Sequence, residues 1–301
     1  MKGRSAMTGF EPRPLPLAAP DSLLPEVLHV EVTTACNLAC VFCKNAEPAV
    51  RARGELPLPV FVDLLDQLGD HCRRVNLWGT GEPLLYPPTL EMTRRAAARG
   101  VPNIKISTNG TLLSDSMVGQ LLASGVTSVR VALDSADPTE YRALRGGSWA
   151  RAVAGIERLV VARDRIGAPV RVVVASVVTG QSPESLRRVR ALAAELGADD
   201  HELMPNIWAG QFPVAGRRPP PERCDQPLRT IHVLADGDVV PCCHSLTGEV
   251  VLGNIHRESL RDIWAGAAAR RARDEFTGAR FPLCGGCNFG VRLDPDGRPI
   301  G

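Results

Sequence analysis

One stretch decides the fold of this chain: Thr33-Thr34-Ala35-Cys36-Asn37-Leu38-Ala39-Cys40-Val41-Phe42-Cys43. Its cysteines follow the spacing C-x3-C-x2-C. A [4Fe–4S] cube normally takes four cysteines, so three thiolates leave one iron open for a small molecule. A zinc site or three unrelated thiols are the alternatives. Zinc usually takes a C-x2-C pair together with a second pair or with histidines, so the spacing favours the cluster.

Length and composition define the class of protein. The chain has 301 residues, 44% of them hydrophobic, which suffices for one large α/β domain and a smaller one. The net charge of +2 gives no indication of nucleic-acid binding. There is no apolar run long enough to span a membrane and no apolar segment typical of a signal peptide. We therefore expect a cytoplasmic protein, which uses its cysteines for metal or chemistry and not for disulfides.

Short apolar runs alternate with helical patterns after Pro25, which is typical of βα units. The predicted strands are Val27–Glu31, Val75–Trp78, Ile104–Ser107, Ser128–Leu133, Val170–Ser176 and Glu202–Met204. The predicted helices between them are Val60–Leu68, Thr89–Arg99, Asp115–Ser124, Ala150–Arg165 and Pro183–Leu196. This alternation predicts an α/β fold, an open, partial (β/α)6 barrel whose site lies at the C-terminal ends of the strands.

A change of pattern near residues 206–223 predicts a domain boundary, because the prolines there block regular structure. Beyond it, Asp236-Gly237-Asp238 predicts a hairpin turn, and a helix is expected over Ser259–Arg273. The predicted organisation is a loose leader over 1–25, the barrel over 26–205, a Pro-rich linker over 206–223, and a small C-terminal α+β domain over 224–301.

Three further segments follow predicted strands. Gly79-Thr80-Gly81-Glu82-Pro83 follows the second strand, and its glycines allow a ligand to approach the backbone closely. Ser107-Thr108-Asn109-Gly110 follows the third strand, and Leu133-Asp134-Ser135 follows the fourth. Alone, the segment after the second strand is also consistent with an ordinary glycine-rich turn. Asn109-Gly110 alone is equally consistent with a tight turn.

Taken in order with Cys36, Cys40 and Cys43, these segments resemble the radical S-adenosylmethionine (SAM) enzymes over roughly Val27 to Met204. The resemblance implies that the open iron chelates the amino and carboxylate groups of SAM. The cluster's electron then splits SAM to a 5′-deoxyadenosyl radical. Thr80 stands where the family's GGE motif has its middle glycine. The residues that the resemblance assigns to SAM are Gly79, Thr80, Gly81, Glu82, Ser107, Asn109 and Asp134.

A second cysteine group consists of Cys224, Cys242, Cys284 and Cys287. Its spacing alone favours a zinc ribbon. Beside a radical SAM barrel, the segments from Asp236 to Cys243 and from Ser259 to Trp264 resemble the auxiliary-cluster extension called SPASM. No cysteine follows the last ligand, so the resemblance implies the shortened "twitch" form with one auxiliary cluster. The expected cofactors are therefore SAM and two [4Fe–4S] clusters.

Cys243 is not among the predicted cluster ligands. A thiol can quench a carbon radical by donating a hydrogen atom. Packing is the alternative role for this cysteine. We expect Cys243 to serve the epimerisation of a sugar carbon in an aminoglycoside-type antibiotic. Alternatives are dehydrogenation of an aminocyclitol or sugar alcohol, and maturation of a ribosomal peptide, which the short segment before the first strand disfavours. A zinc-ribbon protein on an inactive barrel would leave the first cysteines without a purpose.

The expected partners follow from this chemistry. They are a small amino-sugar or aminocyclitol substrate and an electron donor such as flavodoxin or ferredoxin, with no nucleic acid and no membrane.

Overall fold

The computed structural model describes residues 24–206, 226–277, 284, 287 and 292–300. Its centre is a sheet in the order β6-β5-β4-β3-β2-β1-β7-β8-β9, with all neighbours from β6 to β7 parallel. The strands are β1 Val27–Val30, β2 Arg74–Leu77, β3 Asn103–Thr108, β4 Ser128–Ala132, β5 Arg171–Val178, β6 Asp200–Pro205, β7 Thr230–Val233, β8 Asp238–Val240, β9 Gly253–Asn254, β10 Arg292–Leu293 and β11 Pro299–Ile300. The first six strands confirm the predicted barrel.

Helices form the crossovers, because parallel neighbours cannot be joined by a tight hairpin. The helices of the described ranges are α1 Pro48–Arg51, α2 Leu58–Leu68, α3 Pro88–Ala98, α4 Asp115–Leu122, α5 Pro138–Arg145, α6 Trp149–Ile166, α7 Pro183–Glu195, α8 Gln226–Arg229, α9 Leu260–Ala265 and α10 Ala267–Thr277. The side chains of Ser114, Ser148 and Ser182 accept the backbone N–H three residues on and so fix the starts of α4, α6 and α7.

The C-terminal part differs from the sequence prediction in two respects. β7 and β8 form the predicted hairpin, but β7 also pairs in parallel with β1, so the barrel sheet continues into this part. The helix predicted over Ser259–Arg273 is broken into α9 and α10, because Gly266 adopts an extended conformation with ψ 160°. The small C-terminal part is thus built onto the barrel's first strand.

Alternation along the strands separates an apolar core from a polar interior. Outward residues such as Leu28, Val75 and Ile104 are at most 1% exposed and pack with the helices. Inward residues such as His29 and Lys105 line a cavity instead. No helix within the described ranges is both long and apolar enough to cross a membrane.

Candidate active site

A cavity of about 880 Å³ runs through the barrel and reaches the strand ends that carry the predicted motifs. Parallel strands bring their C-terminal ends to one edge, so loops far apart in sequence meet there. The structure brings together, on the walls of this cavity, Cys36, Cys40, Cys43, Gly79, Thr80, Gly81, Glu82, Ser107 and Asn109.

The three thiols of the loop after β1 influence one another. Burial raises the pKa of Cys40 to about 12; the guanidinium of Arg145 opposes this, and the thiols of Cys43 and Cys36 add to it. Burial also raises the pKa of Cys36, to which Cys43 again contributes. Thiolates at these positions need a positive partner, which an iron–sulfur cluster supplies.

Glu31, which sequence reasoning misses, holds the ends of three strands together. Its Oε1 accepts hydrogen bonds from the Thr80 amide at 3.0 Å and from the Thr80 hydroxyl at 2.7 Å. Its Oε2 accepts from the Ala235 amide at 3.3 Å and lies 3.6 Å from Arg53. A carboxylate directly after the apolar strand β1 was the available signal. Glu31 is therefore a positioning residue for the loop after β2.

Glu82 has a similar role one strand further on. Its Oε1 accepts from the Thr108 hydroxyl at 2.7 Å and the Leu84 amide at 3.1 Å. Its Oε2 accepts from the Asn109 amide at 2.7 Å. Burial raises the pKa of Glu82, and the hydrogen bonds from Asn109 and Thr108 oppose that shift. The side chain thus braces the loops after β2 and β3.

The glycines of the second loop are required by close packing against the first. A Cβ on Gly81 would lie 2.2 Å from the Thr33 carbonyl oxygen, and one on Gly79 would lie 2.5 Å from Cγ of Glu31. The loop after β2 is therefore pressed against the backbone that leads into Cys36.

Asn109 braces the cysteine loop from the third strand. Its Nδ2 donates to Oδ1 of Asn37 at 2.8 Å, and Nδ2 of Asn37 donates to the Thr111 hydroxyl at 2.9 Å. The two asparagines are far apart in sequence, so their contact fixes the cysteine loop against β3.

The structure buries Asp134 instead of placing it on the cavity wall. Its Oδ1 accepts from the Val177 amide at 2.7 Å, and its Oδ2 accepts from Nε of Arg145 at 2.6 Å. Arg145 lines the cavity, with Nη1 at 3.9 Å from Sγ of Cys40. Sequence reasoning misses Arg145 because helix α5 was not predicted; its signal was Asp137-Pro138, an N-cap followed by proline.

The second cysteine group is partly described. Cys242 and Cys284 share a small buried cluster with Ala272 and Phe276 of α10. The amide of Cys287 donates to the Cys284 carbonyl at 3.1 Å, so these two cysteines lie close together. The fourth predicted ligand, Cys224, lies outside the described residues, as do 207–223 of the predicted linker and 1–23 of the predicted leader.

Cys243 faces a different space from its neighbour Cys242. It begins a short 3-10 turn, Cys243–Ser245, and lines the main cavity together with the first cysteine group. A thiol of the second group's segment is therefore placed inside the barrel.

The residues present fit two clusters and SAM. In the described part of the chain, no three His, Cys, Asp or Glu side chains converge tightly enough to hold one metal ion. A cube needs less convergence, because each thiolate binds a different iron. Cys36, Cys40 and Cys43 would hold one cube, and Gly79–Glu82, which line the same cavity, would hold SAM. Cys242, Cys284 and Cys287 would serve the second.

Two family profiles match the chain. The profile of the radical SAM superfamily matches residues 30–193, more than half of the chain. The SPASM profile, an iron–sulfur cluster-binding domain, matches residues 224–288. The first domain binds SAM and a [4Fe–4S] cluster, and the SPASM domain binds additional iron–sulfur clusters.

Curated relatives match the chain over part of their length. The mycofactocin maturase MftC of Mycobacterium ulcerans is 37% identical over 206 residues, which are 64% of this chain and 53% of the relative. The AdoMet-dependent heme synthase of Methanosarcina barkeri is 31% identical over 176 residues, 58% of this chain and 48% of the relative. The chain thus spans about half the length of these relatives.

A solved structure shares the fold. SuiB of Streptococcus suis superposes with a TM-score of 0.69 at 16% identity, over 83% of this chain and 68% of that one. The order of the motifs, their meeting in one cavity and the profile match over residues 30–193 lead to one conclusion: the chain belongs to the radical SAM superfamily.

Proposed function

We propose that the protein modifies a peptide by removing a hydrogen atom from one of its C–H bonds. The observation that carries this proposal is the charge of the cavity. Among the described residues of its wall, Glu82 is the acidic one, and the cationic ones are Arg74, Lys105, Arg130, Arg145 and Arg229. A peptide with an acidic group would be attracted to this surface.

The same charge argues against the amino-sugar expected from the sequence. An aminoglycoside carries ammonium groups, which a cationic cavity repels. The acidic side chains that would suit such a substrate are engaged elsewhere: Asp134 by Arg145, and Glu202 by Arg130 at 2.6 Å. The similarity to the maturase MftC supports the peptide as the substrate class.

The chain itself positions the groups that react and excludes water from them. When bound, SAM and the open-iron cluster supply the radical that removes the hydrogen atom. Glu31 and Glu82 fix the loops that would hold SAM, and Asn109 braces the cysteine loop. Holding the reacting carbon in one orientation inside the cavity of the partial barrel raises the rate and keeps water away.

Cys243 is the proposed hydrogen-atom donor. Its S–H bond breaks as a C–H bond forms at the substrate's carbon radical, and a thiyl radical remains. One electron from a low-potential carrier, such as a flavodoxin or ferredoxin, and one proton from solvent restore the thiol. The position of Cys243 on the wall of the cavity supports this role. The product would then be a peptide inverted at one carbon.

The test is anaerobic turnover in D2O of the protein carrying both clusters, with SAM, a reductant and either a library of synthetic linear peptides or a panel of aminoglycosides. Mass spectrometry follows the products. A peptide that gains one deuterium at carbon supports both the substrate class and the thiol donor, since a thiol exchanges its proton with solvent. Turnover of the aminoglycosides but of no peptide would contradict the peptide proposal and favour the epimerisation of a sugar carbon.

Two variants separate the donor from the substrate class. Cys243→Ala should still consume SAM and remove the substrate hydrogen, but should form no deuterated product. Cys72→Ala is the matched control, because Cys72 is a buried thiol away from the cavity wall. A product two mass units lighter, unaffected by Cys243→Ala, would indicate a dehydrogenase instead.

A further inference from the structure

The end of the cavity furthest from the cysteine loop carries its own group of polar side chains. The strand register sets His29 beside Asn76 and His232, and Asn76 beside Lys105. Arg74 lies two residues before Asn76 on the same strand, so both point inward. We call Arg74, Asn76, Lys105 and His232 the basic floor; all four line the cavity.

Two cations of the basic floor form no ion pair among the described residues, although the carboxylate of Glu202, which Arg130 engages, still favours the charged form of Lys105. Elsewhere on the wall, Arg130 pairs with Glu202 at 2.6 Å and Arg229 pairs with Glu26 at 3.1 Å. Within the described part of the chain, neither Arg74 nor Lys105 forms an ion pair. Both side chains are half-buried on the cavity wall. Cations taken partly out of water are normally paired, so two unpaired ones at one place indicate a site for an anion.

Several polar atoms of the basic floor also lack hydrogen-bond partners. Both ring nitrogens of His232, Oδ1 of Asn76 and Nε of Arg74 are buried without a hydrogen bond among the described residues. The His232 side chain is only 2% exposed, so solvent does not satisfy it. Buried polar atoms in native proteins are nearly always bonded, which makes this group a built but unsatisfied site.

The electrostatic environment of the two cations favours an anion beside them. Burial, with Arg74 and Arg130 adding to it, lowers the pKa of Lys105 to about 8. Burial, and after it Arg229, lowers the pKa of Arg74. A bound anion would reverse both shifts, because it favours the charged forms.

We propose that the basic floor is a subsite for a carboxylate of the substrate, gripped by Arg74 and Lys105 with His232 donating a hydrogen bond. The proposal rests on the proposed function, since the anions of an unmodified peptide are carboxylates. Along β2, Arg74 lies roughly 16 Å from Gly79, at about 3.3 Å per residue. The anchored carboxylate would therefore sit within a few residues of the reacting carbon.

The test is calorimetric titration of the protein carrying its clusters and SAM with small probes. N-acetylglycine presents a C-terminal carboxylate, N-acetylglutamate amide presents a side-chain carboxylate, and N-acetylglycine amide is their neutral match. Inorganic phosphate tests the other common anion. At least one carboxylate should bind about tenfold or more tightly than the amide. Equal binding of acid and amide, no carboxylate binding, or a preference for phosphate would overturn the proposal.

Variants locate the site. Arg74→Gln and Lys105→Met should each weaken carboxylate binding about tenfold or more, and Arg74→Lys should restore part of it. Their affinity for SAM should be unchanged, which would show that the basic floor does not bind the carboxylate group of SAM. Arg94→Gln is the matched control, because Arg94 is an exposed arginine on α3. Thermal unfolding shows whether each variant is folded. Unchanged carboxylate binding in folded Arg74→Gln would refute the site.

The two proposals fail in different ways. If Arg74→Gln modifies a peptide substrate with an unaltered KM, the subsite is wrong and the peptide function stands. If the wild type binds carboxylates as expected but modifies no peptide, the peptide function is wrong and the anion site stands.

Discussion

The guanidinium of Arg145 lies 2.6 Å from the carboxylate of Asp134, and their side chains are 7% and 0% exposed. This pair joins the end of β4 to α5 directly beneath the thiol of Cys40. Both charges are buried: Arg145 and the Val177 amide compensate Asp134, while Asp134 and the Cys40 thiol lie against Arg145. The pair therefore ties the cluster loop to the barrel.

Removing Asp134 should strongly destabilise the fold. Asp134→Ala leaves Arg145 buried and uncompensated, which we expect to lower the free energy of unfolding by about 3–5 kcal/mol. Chemical denaturation measures this loss. The matched control is Glu91→Ala, which breaks exposed ion pairs with Arg95 at 2.7 Å and with Arg94 at 3.1 Å and should cost far less, because water screens exposed charges. Equal losses in the two variants would show that burial does not strengthen the Asp134–Arg145 pair.

A methyl group on Gly81 should disturb the first cluster. Its Cβ would lie 2.2 Å from the Thr33 carbonyl, so the backbone before Cys36 must move. Reconstituted Gly81→Ala should hold less iron than wild type, approaching a loss of about four irons, and should bind SAM weakly. Gly119→Ala is the control, since nothing lies within 4 Å of its added carbon. Full iron content in Gly81→Ala would mean that the loop tolerates the shift.

These features show what could be predicted from the sequence. The cysteine loop and the glycines after β2 are local motifs, and their spacing carries the chemistry directly. Six strands follow from the alternation of apolar runs with helical patterns. β7 was not placed beside β1, because parallel pairing between segments some 200 residues apart leaves no local signal.

The charge of the cavity was also beyond sequence reasoning. Which of a strand's two faces lines the cavity is decided only when the strands assemble into the partial barrel. In the sequence, nothing distinguishes Arg74 and Lys105 from other basic residues. Only the pairing of their strands brings them to the same part of the cavity. Asp134 and Glu202 are each engaged by an arginine, and the sequence alone does not reveal either ion pair.

Acid should destabilise the protein through His29. Burial lowers the pKa of His29 to about 4, whereas a histidine in an unfolded chain titrates near 6.5. Between these values the unfolded chain binds more protons, so the free energy of unfolding falls as the pH falls from 6.5 towards 4. At pH 5 the loss from this group should be about 2 kcal/mol relative to pH 7.

Denaturant titrations at the two pH values measure this loss. His29→Gln should make the pH dependence shallower without abolishing it, because burial also lowers the pKa of His201 and His232. His256→Gln, at an exposed histidine, should leave it as in wild type. Identical pH dependence in His29→Gln and wild type would assign the acid sensitivity to other groups.

The two cysteine groups should bind iron independently. Replacing Cys36, Cys40 and Cys43 together by Ala should remove about four irons and abolish SAM cleavage. Replacing Cys242 and Cys284 together should remove iron from the second site while the first still binds SAM. Elemental analysis after anaerobic reconstitution measures both. Zinc in place of iron at the second site would contradict the auxiliary cluster.

The central claim is that the hydrogen atom comes from a peptide. The most direct measurement uses a substrate peptide identified by turnover. This peptide is resynthesised in its unmodified form with deuterium on the carbons of the residue that the protein alters. The account predicts deuterium in the 5′-deoxyadenosine released from SAM, in proportion to the peptide modified. Deuterium-free 5′-deoxyadenosine from this peptide, with transfer instead from a deuterated amino-sugar, would contradict it.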